Sequence, residues 1–157
     1  MDIQVTCTSA KTAAAIKDAA IFLLKEVLGP RMAEGVTLDI DVVKKLDVEG
    51  ECVNEDGTKR SRWFTITLKD APFNKLLETL AHELVHVKQY VRNELGIKSL
   101  VLTKGGRMKF TTKWMGEVWV PKGNEDDYFD TPWEIEAFGR EQGLANRYIN
   151  YRKQKGL

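Results

Sequence analysis

Residues 80–87 read Leu80-Ala81-His82-Glu83-Leu84-Val85-His86-Val87 and sit in the middle of a long helical pattern. Asp70-Ala71-Pro72 opens that pattern, which is expected to run to about Leu95 with Gly96 as its stop. Histidines at i and i+4 lie on one helix face, one turn apart. That spacing lets both imidazoles reach one Zn2+ at about 2.0–2.1 Å. A glutamate directly after the first histidine is placed to act on a metal-bound water. On the helical wheel, Leu76, Leu77, Leu80, Leu84, Val87 and Val91 form one apolar stripe. His82 and His86 fall on the opposite side with Lys75, Thr79, Gln89 and Asn93. The chain has two histidines, and both are in this motif. The plainer alternative is two histidines on a solvated face, which would not usually bracket a glutamate in this way.

A catalytic zinc needs a third protein ligand and an open position for water. No further histidine remains, so a carboxylate is required. The best candidates lie in Thr131-Pro132-Trp133-Glu134-Ile135-Glu136-Ala137-Phe138. Glu134 shares its helix side with Phe138, Ala145, Tyr148 and Ile149, the side expected to face the core. Glu136 shares its side with Arg140, Arg147 and Gln154, the solvent side, and makes an i,i+4 pair with Arg140. A carboxylate pointing into a core needs a partner, and a metal ion would be one. Glu134 is therefore the expected ligand. The competing reading is a capping box, Thr131-x-x-Glu134, in which the glutamate bonds only the helix start. Glu141 is also on the inward side and could hold a histidine in place.

Outward from these helices, residues 3–8, 36–46 and 62–69 alternate apolar and polar side chains and read as strands. Residues 13–28 read as an amphipathic helix capped by Thr8 or Ser9 and stopped at Gly29-Pro30. Asn54-Glu55-Asp56-Gly57 is a turn signal. Residues 109–120 suggest a hairpin or flap around Trp114-Met115-Gly116, and 124–130 an acidic loop. Residues 104–130 could lie across a cleft as a lid. Thr131-Pro132 starts the last helix, expected to reach about Arg152. The order implies one α+β domain over 1–157, with a small, mainly antiparallel sheet packed with the histidine helix and a C-terminal glutamate helix.

Composition fits that reading and narrows the function. The chain has 157 residues, 43% hydrophobic and 30% charged, as in ordinary globular domains. Basic and acidic side chains nearly balance at 24 and 23, a net charge of +1, so bulk charge makes no case for nucleic acid. The basic tail of Arg147, Arg152, Lys153 and Lys155 is expected to solvate a helix end. No apolar run reaches the ~18 residues of a membrane span. The N-terminus has no secretory pattern and the two cysteines, Cys7 and Cys52, form no disulfide framework, so a cytoplasmic protein is expected.

His82-Glu83-x-x-His86, followed by Pro132-x-Glu134-x-x-Ala137 on a later helix, resembles the gluzincin metallopeptidases. The resemblance covers about residues 60–150. It is greatest to their minimal, single-domain phage and bacterial members, and it extends to SprT-like domains. It implies a zincin-like fold, one catalytic Zn2+ on His82, His86 and Glu134, Glu83 as general base, and a peptide or protein substrate. It also implies that an edge strand before the active-site helix holds extended peptide, which would be Trp63–Lys69. Gluzincins often carry Asp or Asn four residues after the glutamate ligand, bonded to a histidine; here that position is Phe138. No zinc ribbon follows, unlike in many SprT-like proteins. Tyr128, Tyr90 and Arg140 are candidates to meet the oxyanion. The alternative function is a zinc-binding, non-proteolytic regulatory or interaction module, with a nucleic-acid-associated protease as a third reading.

Overall fold

The computed structural model describes residues 1–96, 99–102, 104–119 and 128–156. The main sheet has four strands: β1 (Asp2–Thr6), β2 (Thr37–Val43), β3 (Gly50–Asn54) and β4 (Trp63–Lys69). Their spatial order is β1-β2-β4-β3. Helix α1 (Ala10–Leu28) and the short α2 (Pro30–Ala33) connect β1 to β2, and α3 (Phe73–Val91) follows β4. Two small antiparallel ladders come next, β5 (Ser99–Leu102) with β6 (Met108–Thr111) and β7 (Lys113–Trp114) with β8 (Glu117–Val118). A 3-10 turn at Tyr128–Asp130 leads into α4 (Pro132–Gln154).

The fold is α+β with a mixed sheet, which corrects the expected mainly antiparallel one. β1 pairs with β2 and β2 with β4 in parallel; only β3–β4 is antiparallel. The cause is visible in the side chains. Leu38 and Ile40 are buried while Asp39 and Asp41 alternate with them on a half-buried outer face. Strict alternation reports that one face of a sheet is open, and it is commonest in antiparallel sheets. Here the 19-residue α1 crosses over between β1 and β2, so parallel strands show the same pattern.

β3 was not anticipated as a strand, and it changes the edge. β4 is flanked by β2 and β3, so the expected substrate-lining edge at Trp63–Lys69 is an interior strand; β3 is the last strand of the sheet. The turn signal at 54–57 is the β3–β4 connection: Gly57 N donates to Asn54 Oδ1 at 3.3 Å, with Gly57 in the left-handed region at φ 58°. β3 escaped notice because only alternating apolar strands announce themselves. Its outward Glu51 and Val53 are exposed, and its inward side opens with Gly50.

The core lies between the sheet and the helices. Ile16, Leu23 and Leu24 of α1 and Leu76, Leu80 and Leu84 of α3 meet Leu38, Ile40, Phe64, Ile66 and Leu68 from the sheet. α4 adds Ala137, Leu144, Ala145 and Tyr148. Between residues 76 and 89, α3 is buried on every side except at Glu78. Its polar face is therefore interior as well, covered by α4 rather than bathed in solvent. α3 stops at Val91, short of the expected Leu95. Asn93 takes the left-handed φ of 56° and ends the helix, a conformation asparagine tolerates. The hairpin expected around Trp114-Met115-Gly116 is β7–β8, with Met115 at φ 51° and Gly116 at φ 84°. The expected lid over 104–130 and acidic loop over 124–130 fall partly outside the described residues, at 120–127. Among the described residues, no helix is long and apolar enough to cross a membrane.

Candidate metal centre

His82 and His86 project from the middle of α3 toward the first turn of α4, where Glu134 points back at them. All three are buried. Their ligand-type atoms lie within 4.8 Å of one another. His82 Nε2 is 3.2 Å from Glu134 Oε2, His86 Nε2 is 3.3 Å from Glu134 Oε1, and the two Nε2 atoms face each other at 3.2 Å. The Nδ1 atoms are engaged elsewhere: His82 Nδ1 with Glu141 Oε2 at 2.8 Å, His86 Nδ1 with Gln89 Oε1 at 2.9 Å. When Nδ1 carries the proton, Nε2 presents a lone pair. Two imidazole lone pairs and a carboxylate then converge on one point, where a metal cation, like a proton on one ring, offsets their mutual repulsion. Two nitrogens and a carboxylate oxygen suit Zn2+, and three protein donors leave a coordination position open. The residues present fit the expected metal.

Glu134 is not a helix cap. Thr131 makes no side-chain capping bond; its Oγ1 donates instead to the backbone oxygen of Tyr128 at 2.8 Å. Burial pushes the Glu134 carboxyl up, but His82, His86 and the Tyr128 hydroxyl that bonds it win, and its pKa falls to about 2. Burial alone would lower the His82 pKa, yet Glu134, Glu83 and Glu141 around it raise it.

Glu83 is buried on the same helix, turned toward β3. A Cβ built on Gly50 would lie 2.8 Å from Glu83 Oε1 and 2.5 Å from Thr79 Cγ2. Only glycine lets the sheet edge run this close to the carboxylate. Burial raises the Glu83 pKa to about 7, His86 and His82 pulling against it and Glu134 adding to it. Cys52, also on β3, has its thiol pKa raised by burial and by the nearby Glu83.

The remaining expectations divide. Glu136 is not among the converging donors, and it is not on an open solvent face: it accepts from Lys88, Gln89 and Arg140. The expected pair with Arg140 is present at 3.1 Å. Phe138 is 44% exposed rather than core-facing, with its ring 4.5 Å from that of His82. Glu141 makes the hydrogen bond to His82 that Phe138 cannot make. Tyr128 reaches the site through Glu134. The Tyr90 ring lies tilted beside that of Phe64, centroids 6.1 Å apart, and Arg140 is paired with Glu136. The sequence reading assigned no role to Gln89 or Gly50. Gln89 sits three residues after His86, within reach on the same face, and that spacing was the available signal. No family model, no curated protein and no solved structure matches this chain.

Proposed function

We propose that the chain is a zincin-like, gluzincin-type zinc peptidase, with the metal on His82, His86 and Glu134 and Glu83 as general base. The observation that carries this reading is the convergence of three buried donors from two helices beside a fourth, unligated carboxylate on the same helix. A zinc ion held there supplies Lewis acidity and a water acidified toward neutral pH. The protein's own share is positional. Glu83, its pKa raised by burial to about 7, is suited to take a proton at Oε1 and to give it to a leaving amine. Gly50 keeps the sheet edge clear of that oxygen. β3, which has no strand on its other side among the described residues, offers its backbone to an extended peptide passing in front of Glu83. Glu141 and Gln89 fix the imidazole rings.

Elemental analysis of wild type and Glu134→Ala, with peptide hydrolysis by wild type and Glu83→Gln, tests the proposal. About one zinc per chain in wild type, lost in Glu134→Ala, is expected. Glu83→Gln keeps the zinc and loses hydrolysis. Wild type that takes up no zinc after reloading, or a Glu83→Gln variant that cleaves like wild type, would falsify it.

A further inference from the structure

Gln89 is fully buried behind His86, and its neighbours dictate which way its amide points. Nε2 donates to the backbone oxygen of Trp133 at 2.9 Å and to Glu136 Oε2 at 3.0 Å. A carbonyl and a carboxylate only accept, so the NH2 end must face them and use both its hydrogens. Oε1 is thereby turned to His86 Nδ1, 2.9 Å away, and can only accept. This puts a proton on His86 Nδ1 and the lone pair on Nε2, the atom that faces His82 and Glu134. With the amide reversed, an oxygen would meet two oxygens.

Glu136 is held in turn. Its Oε1 accepts from Lys88 Nζ at 2.6 Å and Arg140 Nη1 at 3.1 Å, leaving Oε2 for Gln89. Lys88, buried at 8% exposure, also donates to Glu94 Oε2 at 2.6 Å. Two cations and two carboxylates balance, so no buried charge is left alone. The chain of contacts runs from α4 through α3 to the segment after it, where Glu94 O accepts from Met115 N at 2.7 Å in the β7–β8 turn. A buried polar network of this kind adds little stability over apolar packing of the same shape. What it adds is a fixed hydrogen-bond direction.

We infer that Gln89 is the positioning residue that sets His86 for metal capture, and that Glu136, clamped by Lys88, sets Gln89. The inference rests on the metal-site reading above, and it gives Glu136 a role that is not ligation.

The test is zinc affinity by chelator competition, with thermal unfolding of each metal-free variant alongside. Gln89→Leu should bind zinc about 10–100-fold more weakly, the usual effect of losing a group that orients a ligand. The second arm is an exchange. Gln89→Glu alone sets a carboxylate against Glu136, and Glu136→Gln alone leaves either Gln89 or the two cations without an acceptor. Both should weaken zinc binding. Combined, the amide introduced at 136 can donate to the carboxylate introduced at 89 while its oxygen still meets Lys88 and Arg140. The double variant should therefore recover part of the loss, incompletely because Trp133 O keeps no donor. A general improvement from any carboxylate behind the histidine would instead make Gln89→Glu alone the tightest binder, and would overturn the inference. So would a folded Gln89→Leu with wild-type affinity, or a double variant as weak as the two single losses combined. These outcomes leave the metal site standing; wild type that binds no zinc removes both readings.

Discussion

Glu141 Oε2 lies 2.8 Å from His82 Nδ1, on the same helix as Glu134, which touches the other nitrogen of that ring at 3.2 Å. One helix thus supplies both the proposed co-ligand of His82 and the carboxylate that holds the far side of its ring. Glu141→Ala is expected to weaken zinc binding by about 10–100-fold. Its side chain is 26% exposed, so the metal-free protein should unfold at nearly the wild-type temperature. Chelator competition and calorimetry on the same samples check both halves; loss of thermal stability with unchanged affinity would contradict the assignment.

Gly50→Ala should leave zinc binding intact and lower turnover. The added methyl meets Thr79 Cγ2 and Glu83 Oε1 inside contact distance, so the carboxylate must move. Overpacking of this kind costs about 1–3 kcal/mol of stability. Gly50→Ala combined with Thr79→Ser removes one of the two clashes and should regain part of the stability but little of the turnover. Equal recovery of both would mean that the Glu83 contact is unimportant.

Metal removal should not unfold the chain. The apolar side chains of α1, α3 and the sheet form an extensive core beside the three buried donors. Far-UV circular dichroism after chelation is expected to match that of the zinc-loaded protein, with a lower unfolding temperature from lost ligand binding alone. Collapse of the helical signal on chelation would favour a structural zinc site over a catalytic one.

Tyr148 sets an alkaline limit. It is buried at 1% exposure, and its hydroxyl donates to Asp18 Oδ2 at 2.7 Å. Burial raises its pKa; Arg152 opposes this and Asp18 adds to it, with a net rise. A folded pKa above the unfolded value of about 10 means that the contribution is complete below pH ~10 and is lost as pH climbs from there through the folded value. Denaturant unfolding between roughly pH 8 and 11.5, on either side of that value, should show wild type losing more stability than Tyr148→Phe. Parallel losses would show that Tyr148 titrates alike in both states.

The motif in α3 and the choice of Glu134 over Glu136 were readable because helices impose a fixed periodicity on which side chains meet. That His82, His86 and Glu134 come together followed from two helix wheels. The sheet was harder. Leu38-Asp39-Ile40-Asp41 carries the same alternation whether its neighbours run parallel or antiparallel, so direction was invisible. β3 was invisible for a different reason: its inward Gly50 faces a carboxylate rather than a core, so no apolar signal marks it. The polar face of α3 also misled in part. Gln89 and Lys88 look like solvent-facing residues until α4 brings Glu136 and the Trp133 carbonyl to them. Partners distant in sequence turn an apparent surface into an interior.

His82 and Glu134 are 52 residues apart in the chain, although their side chains touch. During synthesis both histidines and Glu83 are joined to the chain before Glu134 is. Until α4 has been made and has docked on α3, the candidate donor set is two imidazoles without their carboxylate. On the proposed function, hydrolysis would wait for α4 to dock on α3, so the nascent chain would be spared, because α4 carries the third donor.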